Sequence, residues 1–205
     1  MTKNEYVDFI RNSLQMADKT SRFHKEQVAA AINMAVNSVF YELYIKNPKS
    51  FRKSMERYTT IVSSTPASNV TVGRYHSTLT VDVVDLPRKT GGILEVLTSS
   101  TTTTKFIPVV TMEGEQLYGS ESSLPSNIIG FSFAGGRTIE YWYMSVAEAA
   151  AGVVIRLIKQ FKSYSGTDNV VLPYGQDANI LGLVREYLGA IPPKDLVNDN
   201  RDANG

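Results

Sequence analysis

Cysteine is absent from this 205-residue chain, histidine occurs twice and tryptophan once. Without thiols there is no disulfide framework, no thiolate zinc site and no cysteine nucleophile, and a small secreted domain ordinarily needs such staples. An intracellular or virion setting fits that composition better. An excess of one charge is also missing: 21 basic residues against 20 acidic ones give a formal charge of +1. This argues against a dedicated nucleic-acid binder, whose affinity comes from neutralising many phosphates, and leaves room for a local basic patch only. The first ten residues carry acids and polar side chains instead of a basic segment before an apolar stretch, so no signal peptide is expected. Long apolar runs are lacking too. The longest candidate, residues 146–161, is broken by Glu148, Arg156, Lys159 and Gln160, so no membrane partner is expected.

What is present is ordinary globular composition, 42% hydrophobic and 20% charged, enough for one large domain or two small ones. Thr2-x-x-Glu5 has capping-box spacing, and Tyr6, Phe9, Ile10 and Leu14 follow at helical intervals, which predicts a first amphipathic helix over residues 3–17. Val28, Ile32, Val36, Val39, Phe40 and Leu43 form one stripe of a second helix between Arg22 and Asn47, while Ala29, Ala30, Ala31 and Ala35 permit close approach by a neighbour. Such a helix is roughly 35–40 Å long and needs partners. Asn47-Pro48 should end or kink it, because the residue before proline disfavours helical geometry.

After Arg57 the composition shifts to threonine, serine, valine and glycine. The alternation of residues 78–83 predicts a strand, Gly91-Gly92 a separator, residues 93–97 a second strand, and residues 99–104 an exposed loop. Residues 128–133 and 138–144 around Gly135-Gly136 read as a hairpin with a two-residue turn. That turn pairs Phe133 with Thr138, Phe131 with Glu140 and Ile129 with Trp142. It puts Ile129, Phe131, Phe133 and Trp142 on one face and Ile139, Tyr141 and Tyr143 on the other. Residues 147–151 have helical propensity, and residues 153–158 read as a strand. Gln176-Asp177-Ala178 opens a last helix with a stripe of Ile180, Leu181, Val184 and Leu188 and with Gly189 as C-cap. From Lys194 onward too few apolar side chains remain for the chain to order itself.

No catalytic or cofactor machinery can be written from these residues. His24 and His76 have no second histidine or carboxylate at zinc-ligand spacing, and neither G-x-G-x-x-G nor G-x-x-x-x-G-K-[ST] occurs. Ser50-x-x-Lys53, Lys89-Thr90-Gly91 and Thr167-Asp168-Asn169 resemble the elements of penicillin-binding serine enzymes, but in the wrong order and in a short chain, so they are assigned to chance. Asn200-x-Asp202-x-Asn204 begins like a calcium loop that lacks its closing glutamate, and Asn69-Val70-Thr71 is a glycosylation sequon by pattern alone. Two surfaces remain as candidates. Lys46, Lys49, Arg52, Lys53 and Arg57 could line one side of a short helix and touch phosphate backbone, against the plainer reading of a solvated helix face. Tyr141-Trp142-Tyr143 with Phe131 and Phe133 could stack sugars in a non-catalytic carbohydrate-binding β-sandwich, against the plainer reading of core aromatics.

The order of parts resembles the head-to-tail connector, or adaptor, proteins of tailed phages, in particular the neck ring proteins of short-tailed and crAss-like phages. Three features carry it. They are the paired N-terminal helices, with Glu26-Gln27-Val28-Ala29-Ala30-Ala31-Ile32-Asn33 in the second, the β insertion that follows, and the ending. The ending runs from Val171-Leu172-Pro173-Tyr174-Gly175 through residues 180–184 to Pro192-Pro193-Lys194-Asp195-Leu196-Val197-Asn198-Asp199-Asn200. The resemblance implies an α+β fold, a helical bundle from both chain ends with an inserted antiparallel β-sandwich-like domain. Its parts would be residues 1–56, the β insert 57–165, the last helix 166–193 and a tail 194–205. It also implies a non-enzymatic virion protein without cofactor, assembled in the host cytoplasm and forming a homo-oligomeric ring below the portal. The basic residues would face packaged DNA, and Asp195, Leu196, Val197, Asn198, Asp199 and Asn200 would dock on the portal or a neck neighbour.

Overall fold

The computed structural model describes residues 1–17, 23–69, 74–88, 90–99, 106–108, 110–111, 130–133, 137–142 and 144–189. The chain is α+β and separates into two compact units, one of residues 1–46 and 160–205, the other of residues 47–159.

In the first unit, helix α1 (Lys3–Ala17) opens with the expected capping box. The Thr2 N–H donates to Glu5 Oε2 at 2.8 Å and the Glu5 N–H to Thr2 Oγ1 at 3.3 Å, so two otherwise unpaired donors of the first turn are satisfied. Tyr6, Val7, Ile10 and Leu14 are buried. Helix α2 (Lys25–Lys46) follows, its start three residues inside the predicted limit, and Val28, Ala31, Ile32, Ala35, Val36, Val39 and Phe40 are buried along one side. Both α1 and helix α5 (Asp177–Tyr187) pack against α2, and Ile180 and Val184 are the buried residues of α5. Lys25 and Asp8 pair at 3.2 Å. Gly189, with φ +63°, takes the left-handed conformation that lets the chain leave α5.

Length and composition alone would let α2 cross a membrane, a property the search for uninterrupted apolar runs misses because Asn33 and Asn37 interrupt it. Its seven buried residues instead make it the helix around which this unit packs. The segment before α5 is sewn to the N-terminus: Thr2 bridges Asn169, the Lys3 N–H donates to the Asp168 carbonyl at 2.9 Å, and Lys3 Nζ donates to the carbonyls of Lys162 and Tyr164 at 3.0 and 2.7 Å. A 3-10 turn at Phe161–Ser163 sets the Phe161 ring 6.0 Å from that of Tyr6.

The second unit begins with helix α3 (Pro48–Ser54). Asn47 both stops α2 and caps α3, its Oδ1 accepting from the Ser50 N–H at 3.0 Å, and Pro48 sits where a missing N–H costs nothing. A 3-10 turn (Met55–Tyr58) leads into the strands. One sheet has the order β1 (Thr60–Ser64), β9 (Val153–Leu157), β4 (Ile93–Ser99), β5 (Phe106–Pro108), all antiparallel. The other has the order β2 (Ala67–Asn69), β3 (Arg74–Thr78), β8 (Thr138–Trp142), β7 (Gly130–Phe133), β6 (Val110–Thr111), antiparallel except for β6 beside β7. One hydrophobic cluster draws Ile93, Val96, Val153, Ile155 and Leu157 from the first sheet and Phe131, Ile139 and Tyr141 from the second. Helix α4 (Val146–Ala151) carries a full capping box between Ser145 and Glu148 and ends at Gly152, whose φ of +81° turns the chain from helix into β9. A Cβ there would also stand 3.3 Å from the Ser64 carbonyl oxygen.

Several expectations need correction. The strand predicted for residues 78–83 ends at Thr78. Beyond it the Leu79 N–H donates to the Arg137 carbonyl at 2.7 Å, and the Asp82 carboxylate takes two hydrogen bonds from the Arg137 guanidinium at 2.7 and 2.9 Å, which hold a bend where the ladder would have continued. Ser99 belongs to β4, and residues 100–104 of the predicted loop lie outside the described residues. The hairpin register is displaced by one residue: Phe133 pairs with Ile139, Phe131 with Tyr141 and Gly130 with Trp142. That single step brings Phe131 and Phe133 to the face of Ile139 and Tyr141 and sends Trp142 to the other face. Ile129, Tyr143 and the Gly135-Gly136 turn lie outside the described residues. Finally, residues 47–56 group with the strands and residues 160–165 with the helices, the reverse of the predicted limits. Phe51 stacks on Tyr58, Met55 Sδ accepts from Arg88, and the Lys162 N–H donates to Asn33 Oδ1 at 2.9 Å.

Candidate functional site

The five basic candidates do not share one helix. Lys46 closes α2, its Nζ 3.2 Å from Glu42 Oε2 one turn earlier, and belongs to the helical unit. Lys49, Arg52 and Lys53 lie on α3. Arg57 is exposed in the following 3-10 turn, next to exposed Glu56. Lys49, Arg52, Lys53 and Arg57 therefore follow one another along α3 and the turn after it, apart from Lys46, whose charge is already partnered. Residues 195–200, the predicted docking tail, lie outside the described residues.

Three of the aromatic candidates, Phe131, Tyr141 and Trp142, are buried. Phe131 and Tyr141 are buried in the sheet cluster, and the Tyr141 hydroxyl shares a buried 3.0 Å hydrogen bond with Ser77 Oγ. Burial pushes the Tyr141 phenol up to about 12, an effect the Ser77 contact only partly offsets. Trp142, on the opposite face, is 7% exposed. The Arg74 guanidinium stacks 3.3 Å from its ring centroid, Trp142 Nε1 donates to Ser132 Oγ at 3.2 Å, and Arg74 reaches Glu140 at 3.6 Å. Phe133 is partly buried against the same cluster, and Tyr143 lies outside the described residues.

His24 is exposed, and His76 stands opposite Glu140 in the β3–β8 ladder. Among the described residues no three His, Asp or Glu side chains gather as a metal-ligand group. The described residues line shallow clefts, among them these. One of about 290 Å³ is lined by residues 63–65 and 151–154, mostly hydroxyls and backbone. The other, about 250 Å³, is lined by Glu56, Leu94, Glu95 and Arg156, with Arg156 Nη1 3.3 Å from Glu95 Oε2.

One surface escapes the sequence reading. The side of α2 opposite its buried stripe exposes Met34, Tyr41 and Ile45. An even spread of apolar residues around the helix hides it, because the stripe from Val28 to Leu43 already accounts for the periodicity. No protein-family model matches the chain, and no curated protein matches it in sequence.

Proposed function

We propose that this protein is a structural component of a tailed-phage virion, a head-to-tail connector whose copies form a ring below the portal, continue the DNA channel and dock the next tail component. The observation that carries the reading is the division of the chain. Residues 1–46 and 160–189 meet in one compact helical unit, with α2 between α1 and α5, while residues 47–159 form a separate strand-rich unit. That is the order of parts on which the resemblance rests. In this reading the helices of both chain ends form the bundle, the two sheets form a sandwich-like insert, and both are platforms for neighbours. The role asks for shape and interfaces and for no bond-making centre.

Within the ring, Lys49, Arg52, Lys53 and Arg57 face packaged DNA as a weak, repeated cationic lining. A net charge of +1 suits passive contact better than tight binding. Residues 195–200 dock on the portal or an adjacent subunit. Immunogold labelling of intact particles tests the assignment. Label confined to the head–tail joint is the expected result; label on the capsid shell or tail tip, or no label, overturns it.

A further inference from the structure

Strand β1 closes its sheet with an open side. The sheet order is β1-β9-β4-β5, and among the described residues the hydrogen bonds of β1 run to β9 alone. An edge strand presents a row of unpaired backbone donors and acceptors, which folds ordinarily blunt by shortness, proline or charge. The other described edges are blunted: β2 and β5 have three residues each, β5 with Pro108, and β6 has two. β1 has five, Thr60-Ile61-Val62-Ser63-Ser64, with neither charge nor proline. Exposure alternates along it, Ile61 and Ser63 being open on the outer side, Ile61 by 65%. On the inner side Val62 packs against the buried cluster but is only partly covered, so the core is left open at this edge.

A second β1 fits this edge, and the alternation fixes its register. Residues directly opposite each other in a ladder point to the same side of the sheet, so inner residues must face inner ones and outer residues outer ones. Among the antiparallel registers that satisfy this, one uses all five residues of both strands: Val62 against the copy's Val62, Ile61 against Ser63, Thr60 against Ser64. It brings the two partly covered Val62 side chains together where each core is open, and it sets the two Ile61 side chains diagonally across the axis, within reach of each other. Neither strand carries a charge to repel the other, and the nearest outer-side charges, Arg156 and Glu95, already pair at 3.3 Å. One step beyond the strand the copy's Thr59 comes opposite Thr65, beside the hydroxyl-lined cleft of residues 63–65 and 151–154, and the two-fold axis repeats that contact at the other end.

We propose that two copies of this chain join edge to edge through β1, antiparallel about a two-fold axis at Val62, so that two four-stranded sheets become one of eight. Two five-residue strands bury less than a standard stable interface, so the dimer is weak, with a Kd of roughly 10–100 µM. The contact does not rest on the connector reading: a two-fold contact closes on two copies and cannot by itself build a ring, and it describes the free chain.

Sedimentation of the full-length chain from about 5 to 500 µM, a range that brackets such a Kd, should show a monomer passing to a dimer. Ile61→Lys should raise the Kd by about tenfold or more, because it sets like charges diagonally across the axis. Its exposed site should leave unfolding followed by Trp142 fluorescence unchanged. A second variant reads the register. Since the chain has no native cysteine, Val62→Cys, a change of similar size, introduces one thiol at the axis. Under mild oxidation it should form covalent dimers about tenfold or more faster than Tyr174→Cys, whose site is 90% exposed in the helical unit. A monomer at every concentration, a Kd that Ile61→Lys leaves unchanged, or Val62→Cys linking no faster than Tyr174→Cys overturns the proposal. Assembly into larger rings that Ile61→Lys does not disturb also overturns it, and leaves the connector reading standing.

Discussion

Replacing Ile155 with alanine tests the architecture of the strand-rich unit directly. Ile155 lies at the middle of β9, paired with Val62 on one side and Val96 on the other, and it is fully buried. Alanine removes three carbon groups, a transfer loss of about 2.4 kcal/mol at about 0.8 kcal/mol per group. The cavity left between two sheets that cannot collapse freely raises the cost to about 3–4 kcal/mol. The next residue back, Val154, faces the other side of the sheet beside Ser63 and Leu97 and is only partly buried. Val154→Ala loses little packing and should cost about 0.5–1 kcal/mol. Trp142 is the single tryptophan and belongs to the same unit, so denaturant unfolding followed by its fluorescence reads this unit and not the helical one. Ile155→Val should fall between the two, at about 1 kcal/mol. If Ile155→Ala and Val154→Ala cost the same to within about 0.5 kcal/mol, β9 does not bury one face and spare the other, and the sheet assignment is wrong.

Three further outcomes are expected. Ser145→Ala removes the side-chain acceptor of the Glu148 N–H and should destabilise the strand-rich unit by about 1 kcal/mol, read by the same fluorescence. Tyr141 keeps its proton when folded up to about pH 12 but loses it near 10 when unfolded, so the stability of this unit should decline as pH rises through that window. Tyr141→Phe should abolish that decline, at the expense of an unpaired buried Ser77 hydroxyl, and a retained alkaline decline assigns it to another group. Glu5 is held below its ordinary 4.5, first by the Thr2 backbone N–H and then by the Thr2 hydroxyl. Its contribution is therefore present above the ordinary value and lost as pH falls through the depressed one, which carboxyl NMR titration of Glu5 beside Thr2→Ala will show.

The helices were legible because each rests on local signals that point the same way: the Thr2/Glu5 box for α1, the apolar stripe and Asn47-Pro48 for α2, Gln176-Asp177 and Gly189 for α5. The division of residues 146–158 into helix and strand was legible for the same reason, since the alanines and the Val-Val-Ile run have opposite propensities. The hairpin was not, because two rules compete there. A Gly-Gly pair suggests the tightest turn, but the tight turn sets Phe131 and Phe133 on the face opposite Ile139 and Tyr141. The register found puts all four against one cluster, and burial of four large side chains outweighs turn preference. The basic candidates are divided for a different reason: counting along the sequence joins Lys46 to Arg57, whereas Asn47 ends α2 and caps α3, two helices that belong to different units.

The outer face of α2 marks where periodicity stops being informative. A buried stripe and an exposed one on the same helix share one period, so their sum looks merely apolar, and only a structure in which α1 and α5 pack on one side shows Met34, Tyr41 and Ile45 exposed on the other. Surfaces that bind by shape leave no motif, because any side chain of suitable size and polarity serves. A sequence therefore shows its core before it shows its surfaces, and on this chain Met34, Tyr41 and Ile45 became visible only by subtraction of the core.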